Sequence, residues 1–506
     1  MREIKNQLKA GVVLSYVSTA ITIVIQLIYM PVMIRLLGKS EYGLYSLVSS
    51  VVGYLSLFSF GFTGAYLRFF AKFYSNKEKL ASLNGMFFTL FSILAVLATI
   101  SGIVLSFFPE QIFGSKLSDS EISKARILML ILVINIAIAL ISSIFDSIVA
   151  AYEQFVFQRI LGLASVLINP FVCLPLLLMG YGSVMIVVVT TVVTLVRFVV
   201  NAWFCFSIIK IPISFQKFHW SLLKEVAVFS SFLFLNMIID QINWNVDKLI
   251  LGHTSGTEEI AVYGVASQIN GLFNTFSITI SSVFAPRVNH IAAQDGNDYQ
   301  LEFTKLMAKI GRIQWMILGL LTGGFIVFGK YFIVHIFAGK GYAAAYTAAL
   351  FLVIPALIPL IQNIAVEMQR ALNKHQFRTI IYLIMTICNV GISIPLASEW
   401  GAIGAAMGTA FSFLIGNGLI LNIFYHKVLK INMIFFWKEI LKTWKGFLVP
   451  SIVAVFIIRC VVFENLKIFL VSAIIFVIIY GASILIFSCN EEEKNLIFGM
   501  TKWKRR

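Results

Sequence analysis

Long apolar runs recur along the whole chain, and each is long enough to cross a lipid bilayer as a helix. About 20 residues, at 1.5 Å per residue, span the ~30 Å hydrocarbon core. Backbone groups in hydrocarbon must be hydrogen-bonded within the segment, so each run predicts a transmembrane helix. The chain is 59% hydrophobic and only 12% charged, whereas soluble domains are about 25% charged. The predicted fold class is therefore an all-α integral membrane protein with about fourteen transmembrane helices. The predicted spans are residues 11–35, 43–67, 83–108, 126–149, 159–180, 183–208, 226–252, 260–285, 309–330, 344–366, 379–397, 401–425, 446–463 and 468–488.

The distribution of lysine and arginine predicts the orientation of these spans. Residues 1–9 are basic, and the apolar run that follows is too long for a signal-peptide core, so it is interpreted as the first span. With the N-terminus in the cytoplasm, cytoplasmic segments carry 28 of the 39 Lys and Arg residues and external segments carry 9. This is the positive-inside pattern, with both termini cytoplasmic. The net charge of +16 is thus a topology signal and a contact with anionic lipid heads, not a nucleic-acid signal.

The connecting segments are short, which excludes several classes of protein. None exceeds about 25 residues, so we expect no soluble catalytic domain and no enzyme. The five cysteines and six histidines are scattered, without the spacing of a disulfide framework, a metal site or a haem site. We expect no cofactor, with H⁺ or Na⁺ as a coupling ion.

A weak internal repeat predicts two lobes. Gln154-Phe155, Asn169 and Pro175 recur as Gln376-Phe377, Asn389 and Pro395, each set followed by an aromatic-Gly turn. Arg35-Leu-Leu-Gly38 with Tyr45 recurs less clearly as Lys248-Leu-Ile-Leu-Gly252 with Tyr263. Repeats of six helices have the same membrane orientation, and the cavity is expected between them. We therefore predict an N-terminal lobe over 1–210, a C-terminal lobe over 222–430, two further helices within 446–490 and a basic cytoplasmic tail over 491–506.

The first helix of the second lobe is unusually polar. Asn236, Asp240, Asn243 and Asp247 fall within an arc of roughly 60° at 100° per residue. Polar groups inside a membrane span require a wet cavity or polar partners. Asp240 is the best candidate for ion coupling or cavity lining, with a structural hydrogen bond as the alternative. Asp247 and Lys248 fit either a cavity role or an interfacial ion pair.

Several cations are candidates for binding an anionic substrate. Arg197 lies deep in the sixth predicted span, where a guanidinium fork would suit a phosphate or a structural partner such as Asp146. Arg35 lies near the external end of the first span. Arg68, Lys72, Arg287 and Arg312 lie at predicted cytoplasmic helix ends. They either capture an anionic headgroup or reflect only the positive-inside distribution of charge.

The opening pattern resembles a known family. Tyr29-Met-Pro31, Arg35-Leu-Leu-Gly38 and Glu41-Tyr42-Gly43-Leu-Tyr45, together with fourteen helices in two lobes, resemble the polysaccharide-transport (Wzx-like) flippases of the MOP superfamily. The resemblance implies transport of undecaprenyl-diphosphate-linked oligosaccharide units for O-antigen, capsule or exopolysaccharide across the bacterial cytoplasmic membrane, by ion-coupled alternating access. It also implies the lipid bilayer, a polysaccharide polymerase and a chain-length regulator as partners.

Three alternatives remain open from the sequence. A lipid II flippase also has fourteen helices, and a multidrug and toxin exporter (MATE-type antiporter) shares the superfamily but usually has twelve. A membrane glycan polymerase or ligase would be an enzyme with a large external loop, and the longest external loop here is about 109–124.

Overall fold

The computed structural model describes residues 2–114, 116–215, 220–293, 299–372, 374 and 376–495. Every element within these ranges is helical, which confirms the all-α class. The α-helices are α1 (Arg2–Leu37), α2 (Lys39–Gly53), α3 (Phe62–Phe73), α4 (Lys77–Ser106), α5 (Pro109–Phe113), α6 (Asp119–Ala151), α7 (Phe155–Leu178), α8 (Gly182–Trp203), α9 (Trp220–Thr254), α10 (Thr257–Val283), α11 (Ala285–Ala292), α12 (Tyr299–Tyr331), α13 (Ala343–Ile361), α14 (Ile364–Ala371), α15 (Gln376–Phe413), α16 (Leu421–Lys427), α17 (Met433–Leu441), α18 (Trp444–Cys460) and α19 (Leu466–Phe487). Shorter 3₁₀ segments cover Tyr54–Ser59 and Lys340–Tyr342, and π-helical segments cover Phe204–Ile209, Phe332–Phe337 and Leu414–Ile420.

The spans agree with the predicted architecture, although their number depends on how bends are treated. Within the described residues, eleven helical stretches are long and apolar enough to cross a membrane, and twelve if the α17–α18 pair, bent by 46°, counts as one span. The stretch Gln376–Lys427 is 52 residues long and covers two predicted spans. The more polar α10 covers a further predicted span in 27 residues. Fourteen is therefore an approximate count.

Two breaks divide long apolar stretches; the first falls at the boundary between the predicted spans 379–397 and 401–425, and the second falls inside the predicted span 43–67. The first lies in α15, where Trp400 and Gly401 leave helical geometry and Gly401 takes φ 53°. The second lies between α2 and α3, where Phe60 and Gly61 both have positive φ. A left-handed residue ends a helix and redirects the chain. These turns divide each apolar stretch into two segments.

Contacts divide the chain into two compact units, of which the first contains residues 1–264 and 397–405. Here α6 packs against α4 and α8, α1 packs against α7, and α9 packs against α2 and α3. An aromatic core lies under α3 and α4, with Phe69, Phe87 and Phe145 fully buried. Within it the Tyr66 hydroxyl donates to Asn84 Oδ1 at 2.7 Å, because a buried polar group needs a partner.

The second unit contains residues 265–396 and 406–506. Its α12 packs against α13, α17 and α19, and α18 packs against α19. Phe328, Phe469 and Phe476 belong to the apolar core that joins α12 to α18 and α19. The six-helix lobes predicted over 1–210 and 222–430 remain a prediction, as do the boundaries 446–490 and 491–506; residues 496–506 of the tail lie outside the described part.

Candidate functional site

The predicted polar face of α9 passes through several environments along the helix. Asp240 is exposed, whereas Asn236 and Asn243 are half-buried. Asp247 is 1% exposed and accepts a hydrogen bond from the Tyr263 hydroxyl of α10. The four residues therefore share one face of the helix without sharing one role. Asp247 is a packed structural acceptor in this structure, and Asp240 is the accessible carboxylate.

A second polar stripe fixes α9 against α2. Gln241 donates from Nε2 to the carbonyl oxygen of Gly53 at 2.6 Å and to Ser56 Oγ at 2.9 Å. Asn245 donates to Gln241 Oε1 at 2.7 Å. The acceptor at Gly53 lies where α2 gives way to the 3₁₀ segment, and a tightened helix end leaves carbonyl groups without their usual partners. These amides therefore have a structural partner on the neighbouring helix.

Arg197 on α8 pairs with Asp146 on α6, one of the two roles that the sequence allows. Its Nη2 donates to Asp146 Oδ1 at 3.0 Å, and Asn201 donates to the same oxygen at 2.9 Å. The Arg197 side chain is still 36% exposed, and its Nε is buried without a hydrogen-bond partner in the described part of the chain. A guanidinium has five donors. The Asp146 pair therefore orients the group and leaves donors for an anion.

The remaining predicted cations are spread over the molecule. Arg35 in the last turn of α1 and Arg68 on α3 are exposed, and Lys248 on α9 is half-buried. Arg287 is exposed on α11, in the second unit. Arg312 is buried against Glu493, so its guanidinium is not displayed at the surface. Within the first unit, Arg35, Arg68, Arg197 and Lys248 lie on four different helices.

A polar cluster that the sequence did not predict lies at the first turns of four helices. We call it the helix-start cluster, and it consists of Lys39, Ser40, Glu41, Glu121, Lys124, Ser183, Thr257 and Glu258. Glu41 accepts from the Ser183 backbone N–H at 2.6 Å and its hydroxyl at 2.8 Å, and it pairs with Lys124 at 3.0 Å. A carboxylate at the N-terminus of α8 satisfies a helix donor that has no intrahelical partner.

Glu121 is the second carboxylate of the helix-start cluster and joins three helices. It accepts from Ser40 Oγ of α2 at 2.6 Å and from Thr257 Oγ1 of α10 at 2.8 Å. Glu121 also completes a capping box with Ser118 at the start of α6. Beside it, Lys39 and Glu258 form an ion pair at 2.9 Å. The starts of α2, α6 and α10 are therefore tied together through polar side chains.

A glycine of the motif lets α2 and α10 approach closely. An added Cβ at Gly43 would lie 1.9 Å from the carbonyl oxygen of Thr257, a distance that no side chain can accommodate. Further along, the Tyr42 ring lies 3.3 Å from the Cβ position of Gly264. Gly43 is thus required by close packing at the helix-start cluster.

The Glu41 contact has a counterpart in the second repeat. Glu259, 218 residues after Glu41, accepts from the backbone N–H of Ala402 at 2.8 Å. Each acceptor faces a turn with a left-handed glycine, Gly182 at φ 67° and Gly401 at φ 53°. In the comparison of the two repeats, Gly38 corresponds to Gly256, since both follow a helix and have positive φ. The sequence comparison matches Gly38 with Gly252 instead. The shared offset of 218 residues for Gly38 with Gly256 and Glu41 with Glu259 is the signal that could have identified Glu259 from the sequence.

Comparisons with known proteins agree with this architecture. Residues 8–292 match the family described as polysaccharide biosynthesis protein. The chain is 21% identical over 403 residues to a Shigella flexneri protein named "Putative O-antigen transporter", covering 78% of this chain and 92% of the relative. Family and relative together support a membrane transporter of the polysaccharide pathway.

Two solved structures share the fold. One is the lipid II flippase MurJ in an inward closed conformation, with a TM-score of 0.75 and 19% identity over 94% of this chain and 98% of that chain. Another is an inward-facing multidrug resistance MATE transporter of the MOP superfamily, with a TM-score of 0.63 and 14% identity over 81% of this chain and 95% of that chain. The chain has the MOP-superfamily fold and belongs to the polysaccharide biosynthesis protein family of membrane transporters.

Proposed function

We propose that this protein translocates undecaprenyl-diphosphate-linked oligosaccharide units from the inner to the outer leaflet of the bacterial cytoplasmic membrane. The observation that carries the proposal is the match of more than half of the chain to the polysaccharide biosynthesis family. The O-antigen transporter relative, of which 92% is covered, supports the same cargo class. Both termini would be cytoplasmic, as the charge bias predicts. A polymerase and a chain-length regulator would act on the delivered units.

The chemistry of such a cargo requires two environments. Each sugar hydroxyl taken unpaired into hydrocarbon costs about 2–7 kcal/mol, so the oligosaccharide needs a hydrated path while its lipid tail stays in the bilayer. The exposed Asp240 on α9 is a polar group suited to such a path. The partly exposed Arg197 guanidinium, oriented by Asp146, would attract the diphosphate.

Alternating access requires that one end of the path closes while the other opens. The helix-start cluster lies at residues that the charge bias assigns to the external side, and we assign it to external closure. Opening would separate Lys39 from Glu258 and Glu121 from Thr257. The Lys39–Glu258 pair is partly exposed, and such an ion pair contributes about 0–1 kcal/mol. It is therefore weak enough to break in each transport cycle.

The cargo is tested by deleting the gene and analysing the lipid-linked sugars of spheroplasts. The proposal expects a lipid-linked oligosaccharide to accumulate in the inner leaflet, with loss of the corresponding surface polymer. A strain that retains its surface polymer and gains drug sensitivity would instead indicate a MATE-type exporter.

Ion coupling is tested at Asp240. Asp240→Asn preserves the size of the side chain and removes its negative charge. We expect at least tenfold slower gradient-driven delivery of surface polymer, with the protein still present in the membrane. The matched control is Asn243→Asp, which makes the opposite exchange of amide and carboxylate on the same helix face and tests whether any change of charge on this face slows transport. Undiminished gradient-driven transport by Asp240→Asn would remove this residue from the coupling mechanism.

The fold match favours one second candidate, a lipid II flippase, because the match extends over 98% of the MurJ chain. This candidate is distinguished by complementation. Growth of a strain depleted of its lipid II flippase, restored by this protein alone, would support it. Accumulation of a lipid-linked oligosaccharide other than lipid II in the deletion strain supports the first proposal.

A further inference from the structure

The short helix α17 is held firmly on one face. Asn432 caps its start by accepting from the backbone N–H of Phe435 at 3.0 Å. The buried Phe436 ring lies over Gly311 of α12, where an added Cβ would be 2.6 Å from Cε2 of the ring. Arg312 donates to the carbonyl oxygen of Glu439 at 3.0 Å. The helix is therefore fixed in position before any ligand binds.

The opposite face of α17 is apolar and exposed. Ile434 is 61% and Leu441 is 64% exposed, and Trp444 follows at 54%. The helix lies between a membrane-spanning stretch that ends at Lys427 and the helix α18, from which it is bent by 46°. An amphipathic helix at the end of a span lies in the membrane interface with its apolar face towards lipid. The exposed face of α17 is therefore a lipid-facing surface.

A groove of about 360 Å³ runs beside this face. It is lined by Gly418, Asn422, Met433, Ile434, Trp437, Lys438 and Leu441. The groove is shallow and open on the side of the exposed Ile434 and Leu441. Gly418 contributes no side chain to the groove, and an added Cβ there would meet only Ile358, at 3.5 Å. Asn422, Trp437 and Lys438 are the lining residues with polar side-chain groups.

Most of those polar groups are already hydrogen-bonded within the protein. Asn422 Oδ1 accepts from Trp437 Nε1 at 2.9 Å and from Gln362 at 3.0 Å. Asn422 Nδ2 donates to the carbonyl oxygens of Asn417 and Gly418, which lie in the π-helical segment. This network holds the indole of Trp437 in place. The exposed ammonium of Lys438 is the charged group that remains at the groove.

The local charge indicates the sign of the ligand. Residues 427–445 contain five lysines and a single acid, Glu439. That carboxylate is already engaged by Arg312 and Lys442. A basic segment at the cytoplasmic surface attracts anionic lipid heads by about 1 kcal/mol per cation. Tryptophan and lysine at the membrane interface are typical of headgroup contacts.

We propose that this groove binds one anionic phospholipid of the cytoplasmic leaflet. Its phosphate contacts Lys438, and an acyl chain lies along Ile434 and Leu441 over Gly418. The groove uses none of the residues that we assign to the path for the cargo, and it does not depend on the identity of that cargo. The bound lipid would cover the exposed apolar face of the already fixed α17.

The site is tested with the purified full-length protein by native mass spectrometry against phosphatidylglycerol and phosphatidylcholine. We expect one phosphatidylglycerol to be retained in preference to phosphatidylcholine. Lys438→Ala should weaken phosphatidylglycerol retention about fivefold, the equivalent of one interfacial cation, and should weaken phosphatidylcholine retention less, because the choline ammonium offsets the phosphate charge. Gly418→Leu should fill the groove and reduce retention of both lipids.

The matched control is Lys427→Ala, which removes a charge from the same segment but not from the groove. Gel filtration verifies that each variant is folded, and a Gly418→Leu variant that aggregates is replaced by Gly418→Val. Equal losses for Lys427→Ala and Lys438→Ala would show diffuse charge attraction and overturn the site. Unchanged phosphatidylglycerol retention in both groove variants would also overturn it.

Discussion

The helix-start cluster and the charged group around Arg312 both tie helix ends together, yet they differ in burial. In the helix-start cluster, the Lys39 and Glu258 side chains are 26% and 66% exposed. Around Arg312, the arginine and Glu493 are 6% and 3% exposed. Arg312 contacts both oxygens of Glu493, at 2.8 and 2.9 Å, and also the Ser488 carbonyl oxygen at 2.8 Å.

The difference in burial distinguishes ion pairs that can break during function from ion pairs that stay formed. Exposed pairs contribute about 0–1 kcal/mol and can break and reform. Removing one partner of a buried pair costs about 3–5 kcal/mol, because the other charge remains buried without compensation. The Arg312 group therefore fastens α12 to the segment after α19, whereas the helix-start cluster suits an element that opens.

The largest effect is expected at Arg312. Arg312→Met removes the guanidinium and leaves the Glu493 carboxylate buried, so we expect destabilisation of about 3–5 kcal/mol. A thermal melt of the detergent-solubilised protein measures this. Arg312→Met combined with Glu493→Leu should recover part of the loss, because the uncompensated charge is gone. Arg312→Met with a melt like that of the unmodified protein would contradict the permanent role.

The next largest effect is expected at Gly43, where substitution should lower transport without lowering the amount of protein in the membrane. Gly43→Ala places a methyl group where the Thr257 carbonyl lies at 1.9 Å, so α2 and α10 must separate. We expect at least tenfold less surface polymer from a strain that carries this variant alone. The matched control is Gly271→Ala on α10, where an added Cβ meets nothing within 4 Å. Normal transport by Gly43→Ala would show that close approach of these helices is not needed.

A smaller effect is expected at Glu41. Glu41→Ala removes the acceptor at the start of α8, and loss of such a cap costs about 1 kcal/mol. Glu41→Gln keeps an acceptor for Ser183 and loses the charge that pairs with Lys124, so its effect should be roughly half. Labelling of a cysteine introduced at the exposed Lys116, beside Gly256 at the start of α10, with a membrane-impermeant thiol reagent reports the opening. Equal labelling of both variants and the unmodified background would contradict the closing role.

The pair of Lys39 and Glu258 should contribute still less. We expect a coupling energy of about 0.2–1 kcal/mol from a double-mutant cycle of Lys39→Met and Glu258→Gln, and a decrease with added salt. The cycle is measured by thermal melts at low and high ionic strength. A coupling of several kcal/mol, insensitive to salt, would place this pair with the permanent ties.

The smallest effect is expected at Glu492, beside the Arg312 group but exposed. The hydrogen bond from Lys309 holds the pKa of Glu492 below its usual value of 4.5. A carboxyl whose pKa is lowered by folding stabilises the folded state above its unfolded pKa. That stabilisation is present above about pH 4.5 and is lost as the pH falls through the folded pKa. Melts of Glu492→Gln and the unmodified protein should therefore converge at acid pH, and a difference that grows on acidification would be contrary to this sign.

Much of the architecture could be predicted from the sequence because it depends on local chemistry. The apolar runs predicted membrane helices at the observed places, and polar residues in one run identified α9. The exposure of Asp240 and the burial of Asp247 could not be predicted, since both lie on one face of one helix. Asp247 is buried and hydrogen-bonded to Tyr263 on a neighbouring helix, whereas Asp240 is exposed.

The candidate site was predicted less well than the fold. Arg197 was recognised, with Asp146 as one of its two candidate partners, because a deep guanidinium demands a partner wherever it lies. Glu41 was recognised only as part of a motif. Its role depends on Lys124 and Ser183, which are 83 and 142 residues away, and no periodicity within one helix reports such contacts.

The sequence by itself determined which segments lie in the lipid bilayer, because the free energy of transferring a segment into lipid is a sum over its own side chains. It also indicated the family, through a motif in which Gly38, Glu41 and Gly43 lie within six residues of one another. Only the tertiary structure decided which ion pairs are buried and stable and which are exposed and able to break. Burial and pairing depend on helices that are distant in sequence, and the same ion pair changes from a weak tie to a permanent one with the amount of water around it.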